Sequence, residues 1–143
     1  MQVSDARFVH LFFQNRLGLH WSNDFRGAVY VPDEFMGRPA SMDHVAVAVG
    51  FNGFIGRTCC IHIVIQRPEL FSRRIIREIF EYGFLHAGCE VLLALIDSTN
   101  VPSRELVQRV GFELCATVPH GGLEDDLEIW QMTRGACRWL KPH

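Results

Sequence analysis

Two histidines and a group of arginines are the side chains of this sequence best suited to chemistry. His62 lies in the apolar run Thr58–Ile65, and His44, at the head of the run Val45–Phe51, is expected on its hairpin partner strand. An unperturbed imidazole titrates at about pH 6.5, so either ring can act as a general base at neutral pH. Cys60 and His62, two residues apart, share one face of an extended strand. The ordinary alternative is that core hydrogen bonds satisfy both rings. A zinc site would need Cys59 or Cys60 with His62 and His44, but the usual ligand spacing is absent and no metal is expected. Arg73, Arg74 and Arg77 open an amphipathic segment. The first N–H groups of a helix lack intrahelical partners and lie at the positive end of its dipole, so Leu70 to Arg74 can receive an anion. Arg73 and Arg74 would add charge-assisted contacts to it. Equally ordinary for such arginines is a solvated face with the i,i+4 pairs Arg74/Glu78 and Arg77/Glu81.

These groups must be held by elements that the periodicity outlines. Val3 to Leu17 reads as a helix, with Ser4 or Asp5 as its cap and Gly18 as its stop. Gly27 to Val31 reads as a short strand and Pro32 to Ser41 as a loop. Val45 to Phe51 and Thr58 to Ile65 read as a hairpin turning at Asn52-Gly53. Ser72 to Ala87 carries Ile75, Ile76, Ile79, Phe80 and Phe84 on one face and is the clearest helix. A strand (Val91 to Ile96), a short helix (Val101 to Val110) and a strand (Phe112 to Val118) follow. The polar loop His120 to Asp126 leads to a last strand, Leu127 to Thr133. The order predicts an α/β or α+β sheet with helices on its faces.

A chain of 143 residues, 48% of them hydrophobic, is expected to form one domain, 1–143, with a genuine core. Fourteen basic and sixteen acidic side chains leave a net charge of −2, which does not suit general nucleic-acid binding. Five cysteines, mostly inside apolar runs, read as reduced thiols of a soluble cytoplasmic protein. No basic leader and no span of about 20 apolar residues is present, so no membrane association is expected.

The stretch Asn100 to Phe112 reads Asn-Val-Pro-Ser-Arg-Glu-Leu-Val-Gln-Arg-Val-Gly-Phe. Asn100, Ser103, Leu106 and Gly111-Phe112, preceded by a strand ending at Gln66, the helix from Ser72 and the strand to Ile96, resemble the acetyl-CoA-binding core of the GNAT N-acetyltransferases. The ending Met132, Arg134, Cys137, Arg138, Trp139 and Leu140 is similar to that of small acetyltransferase-type proteins of tailed bacteriophages. That resemblance would place the chain in a host cytoplasm. It implies a mixed, mostly antiparallel central sheet with a splayed strand pair and helices on both faces.

It also implies acetyl-CoA as co-substrate and an amine of a small molecule or protein as acceptor, joined by direct attack. Coenzyme contacts would come from Val64, Ile65, Gln66, Phe71, Ser72, Arg73, Arg74, Asn100 and Ser103. A backbone N–H near Val64 or Ile65 would receive the oxyanion. His62 or His44 would serve as base, and Ser103 or Ser98 would stand in for the family's acid. Two departures accompany the match. The family's loop, Arg/Gln-x-x-Gly-x-Gly/Ala, falls on Pro68, Glu69, Leu70, Phe71, Ser72 and Arg73, with larger residues at both small positions. The position of the family's tyrosine acid is Val107, which has no proton to give. These departures keep open a second reading, a GNAT-fold module that docks on a partner protein. Glu124, Asp125, Asp126 and Glu128 form an acidic run that could draw a cationic amine or simply line a solvated loop. Trp130 and Trp139 are expected in the sheet or a subunit contact, and the last strand leaves room for a homodimer.

Overall fold

The computed structural model describes residues 2–3, 6–18, 22–35 and 41–140. The chain divides into two compact units, Met1–Phe54 with Ile61–Ile79, and Ile55–Cys60 with Phe80–His143. The first begins with β1 (Gln2–Val3), α1 (Ala6–Leu17) and β2 (Arg26–Tyr30). Val3, expected at the start of the helix, instead pairs with Val29 in an antiparallel ladder, and the expected caps Ser4 and Asp5 lie outside the described residues. Of the expected loop Pro32 to Ser41, residues 36–40 also lie outside them. Gly18, at φ +63, ends α1 by donating its N–H to the Gln14 carbonyl at 3.0 Å.

β3 (Val47–Ile55) runs antiparallel to β2 from Tyr30↔Val47 to Arg26↔Phe51. β4 (Thr58–Ile65) follows, and α2 (Arg73–Glu81) closes this part of the chain. Val9, Phe12 and Phe13 of α1 pack with Val29, Val31, Val45 and Ala48, and Val64 of β4 lies against the same cluster. A fully buried phenylalanine contributes roughly 1.5–3 kcal/mol. An exposed pair such as Arg16–Asp43, at 3.4 Å, is worth about 0–1 kcal/mol, so apolar burial fixes this unit. The hairpin does not turn at Asn52-Gly53. β3 passes through that pair to Ile55, and the turn is Gly56-Arg57, with Gly56 at φ +57.

The second unit holds β5 (Val91–Asp97), α3 (Val101–Val110), β6 (Glu113–Val118) and β7 (Leu127–Thr133). β4 pairs in parallel with β5 over Thr58–Cys60 against Val91–Leu93. The other ladders are antiparallel: β5 with β7 from Val91↔Thr133 to Asp97↔Leu127, and β6 with β7, where the register shifts between Leu114 and Ala116. Alternation is clean: Leu92, Ala94 and Ile96 of β5 are buried, as are Glu128, Trp130 and Met132 of β7. Val107, Val110 and Phe112 are buried too, and Phe80 meets Phe84 and Phe112 with ring centroids 6.2 and 6.1 Å apart.

After Glu81 the chain makes a π-helical turn, Tyr82–His86, in which Ala87 N–H donates to the Tyr82 carbonyl at 2.7 Å. The expected helix therefore reaches its predicted end in a wider winding. All six residues of β6 are exposed, so its Cys115 is no core thiol, whereas Cys59, Cys89 and Cys137 are buried. Trp130 packs in the sheet. Trp139 and Arg138 close the end of α3, donating to the Val110 carbonyl at 2.9 Å and the Arg109 carbonyl at 2.6 Å. No helix among the described residues is long and apolar enough to cross a membrane.

Candidate active site

In the first unit β4 presents His62, half-buried, with its Nε2 2.8 Å from Asn52 Oδ1 on β3. The edge of its ring meets Phe13, centroids 6.4 Å apart at 64°. Burial disfavours the charged imidazolium and lowers the ring's pKa, so His62 is neutral, and can accept a proton, at pH 7. His44 is placed differently from the strand position expected of it. It ends a 3₁₀ turn, Met42–His44, ahead of β3, and its ring stacks on Phe35 at 3.9 Å and 6°. Its Nδ1 is buried without a hydrogen-bond partner among the described residues, and the Arg67 guanidinium also lies over Phe35, 5.5 Å from the ring centroid. No described contact joins His44 to His62.

The end of β4 is occupied by its own neighbours. Val64 and Ile65 are half-buried. The Gln66 carboxamide is fully engaged: Nε2 donates to the Met42 and Val45 carbonyls at 3.0 and 2.7 Å, and Oε1 accepts from Arg16 Nε at 2.8 Å. The Gln66 and Arg67 amides donate to the Ala46 carbonyl at 2.8 and 3.1 Å.

Expected anion donors ran from Leu70 to Arg74, and the structure divides that set. Leu70, Phe71 and Ser72 spend their N–H groups on the carbonyls of Arg67, Pro68 and Leu70 in a tight turn. Ser72 Oγ caps α2, accepting from Ile75 N–H at 3.3 Å. The Arg73 and Arg74 amides have no intramolecular acceptor among the described residues, and both side chains are exposed. Arg74 is loosely paired with Glu78 at 3.9 Å, the i,i+4 pair read from the sequence. Glu78 also accepts from the Tyr30 hydroxyl at 3.0 Å, a tie that periodicity alone did not reveal. Burial, then the Glu78 hydrogen bond, push the Tyr30 phenol well above its ordinary value.

In the second unit Asn100 caps α3, its Oδ1 accepting from Ser103 N–H at 3.3 Å. Ser103 is half-buried, and Val107, at the family's acid position, is buried. The acidic run is largely structural. Glu128 accepts from Arg104 Nε at 2.8 Å and Trp130 Nε1 at 3.1 Å, and Asp126 accepts from the His120 amide at 3.0 Å. Asp97, which the sequence reading passed over, accepts from the Glu124 and Asp125 amides at 2.8 and 3.3 Å. Glu124 and Asp125 remain exposed. Among the described residues no group of three His, Cys, Asp or Glu could hold a metal ion.

No protein-family model and no curated protein sequence matches the chain. Solved structures do match it. A point mutant of the spermidine N-acetyltransferase SpeG from Vibrio cholerae superposes with a TM-score of 0.73 at 14% identity, covering 99% of this chain and 98% of that one. The same enzyme in a dodecameric structure gives 0.70 at 15% identity, with 94% of each chain covered. In complex with manganese ions it gives 0.71 at 12% identity, covering 93% and 91%. At such identities the likeness speaks for architecture, and the chain has the mixed, mostly antiparallel α/β fold of the GNAT acetyltransferases.

Proposed function

We propose that residues 1–143 form one acyltransferase domain that moves an acetyl group from acetyl-CoA to an amine. The observation that carries this reading is the start of α2, on a chain whose fold is that of acetyltransferases along nearly its whole length. Two unspent amides and two exposed guanidinium groups, those of Arg73 and Arg74, suit a pyrophosphate even though the loop lacks the family's glycines. Phe71 and Ser72 flank that anion. Val64 and Ile65 offer the backbone edge of β4 to the pantetheine amides, since the ladder to β5 ends at Cys60, and Gln66 does so less, its amide and carboxamide being engaged within the chain. The coenzyme supplies an activated acyl group. His62 takes the proton of the attacking amine, and burial keeps its ring ready to do so. His44, stacked on Phe35, is the weaker candidate for the base. Asn100 and Ser103 are assigned on the sequence resemblance, Ser103 as donor to the leaving sulfur. Exposed Glu124 and Asp125 favour a cationic acceptor, and the structural neighbours act on spermidine by name. The C-terminal sequence supports a phage-encoded protein working in a host cytoplasm.

Calorimetric titration with acetyl-CoA tests this, with desulfo-CoA and adenosine 3′,5′-bisphosphate as controls. We expect micromolar binding, roughly −8 kcal/mol, retained in part by the bisphosphate. Absence of binding at millimolar concentration overturns the reading. Replacing His62 by Ala should then cut turnover by roughly 10²-fold or more while leaving coenzyme affinity unchanged.

One observation favours the second reading, a module that docks on a protein. β6 is an edge strand with all six residues exposed, Leu114 and Val118 among them, and only Glu113 carries a charge. Such an edge is a ready template for another strand. A second copy of the chain would suit it, as assembly suits the dodecameric neighbour.

A further inference from the structure

Asn52-Gly53 has the composition of a tight hairpin turn, yet the chain makes no turn there. Gly53 takes φ +66 inside β3, a conformation that costs an ordinary side chain and interrupts the regular alternation of a strand. Immediately before it stands Asn52, half-buried, its carboxamide oxygen 2.8 Å from His62 Nε2. The turn signal in the sequence is thus spent on aiming one carboxamide at one imidazole.

The chemistry of that contact is one-sided. A carboxamide oxygen only accepts, so Nε2 must carry the hydrogen, and in a neutral ring the lone pair then resides on Nδ1. The ring also meets the edge of Phe13, which cannot titrate or accept. Among the described residues His10 of α1 lies edge-on to Phe25, and three charged groups of adjoining segments are directed elsewhere. Asp24 accepts from the Phe54 amide at 2.8 Å, Arg26 of β2 lies over the Phe54 ring, and Arg16 of α1 is held by Gln66. Cys60 shares the strand face of His62.

We propose that Asn52 is a positioning residue that fixes His62 as the Nε2–H tautomer, making Nδ1 the atom that takes the proton from the acceptor amine. This rests on His62 as the base, but the tautomer can be read without any turnover. Histidine labelled with 15N in the ring reports by NMR which nitrogen is protonated. His62 of the unmodified protein should show the Nε2–H form through the neutral range. Asn52→Leu, which offers no acceptor, should give a mixture of tautomers. Asn52→Asp keeps the acceptor and adds a negative charge, so it should retain the Nε2–H form and raise the ring's pKa by about one unit or more. A protein whose His62 is Nδ1–H, or a tautomer unchanged in Asn52→Leu, overturns the proposal. If Asn52→Leu does not fold, Asn52→Asp decides, and an unshifted His62 titration counts against it. Failure of the acetyltransferase reading would show as absent coenzyme binding in the calorimetry or absent turnover with acetyl-CoA, and would leave these spectra as they are.

Discussion

The two helices that follow strands β4 and β5 each begin on a side-chain cap, Ser72 or Asn100, and differ in what they leave open. α3 is closed. The Val101 amide donates to the Thr99 carbonyl at 3.0 Å, Pro102 has no N–H, Ser103 donates to Asn100 Oδ1, and Arg104 donates to the Asn100 carbonyl at 3.1 Å. Asp97 stands at its approach, with its carbonyl accepting the Asn100 amide at 2.9 Å. α2 is open. Ser72 satisfies one donor, while the amides of Arg73 and Arg74 have no acceptor among the described residues and both side chains are exposed, with no acid in the first turn. A helix start binds an anion only to the extent that its own cap has not already used the donors. On that count α2 is the helix start left open to an anion, while Asn100, the residue most characteristic of the sequence motif, caps α3.

The largest effect that would break this contrast is on coenzyme affinity. Arg73→Ala with Arg74→Ala should weaken acetyl-CoA binding by roughly tenfold to hundredfold in calorimetry, allowing for exposure of both groups. Arg77→Ala, one turn further along, should change it by less than about twofold. Equal losses in the two proteins would mean that α2 holds no phosphate. A sharper variant is Ser72→Asp. Aspartate caps a helix as well as serine does and favours the dipole by about 0.3–1 kcal/mol, so thermal stability should hold or rise slightly. The added carboxylate should meanwhile repel the pyrophosphate and cost about fivefold in affinity. Stability and affinity moving together would contradict the open-cap account.

How much of this contrast is legible in sequence depends on the range of the interaction. The apolar faces of α2, β5, α3 and β7 are periodic within themselves, and their placement follows the reading closely. Asn100 as a cap and Arg74/Glu78 as a pair are likewise local, spanning three and four residues. Misplaced features depend on distant partners. Asn52-Gly53 has turn chemistry, but Asn52 is claimed by His62 on the next strand, so the turn falls at Gly56-Arg57 instead. His44 follows the 3₁₀ winding of Met42–His44 and the Phe35 ring instead of the strand after it. Gln66 looks like a loop residue free to meet a coenzyme until Arg16 and the Met42 and Val45 carbonyls, at least twenty residues away, are found to occupy it. Likewise Glu128 drops out of the acidic run because Arg104 reaches it from α3.

A smaller effect is expected at α3. Asn100→Ala should lower unfolding free energy in denaturant titration by about 1 kcal/mol, the worth of a lost cap, with coenzyme affinity within about twofold of the parent. Asn100→Asp should restore the stability. A large affinity loss in both would return Asn100 to the coenzyme site and erase the difference between the two helix starts.

The least change is expected at Asp97, and its sign distinguishes a structural carboxylate from a ligand-binding one. The Glu124 amide first, then the Thr99 hydroxyl and amide, hold its carboxyl well below the ordinary value of 3.8. A depressed carboxyl binds fewer protons in the folded chain than in the unfolded one. Its contribution is therefore fully present above pH 3.8 and is lost as pH falls through the folded value. Asn at this position turns a donor toward amides that need an acceptor. Asp97→Asn should melt lower than the parent at pH 7, and the two melting curves should converge as the pH is taken below 3.8. A difference that stays constant across that range would show that the carboxylate charge is not what ties the Glu124–Asp125 loop to β5, and the closure of α3 would then rest on Thr99, Asn100 and Pro102.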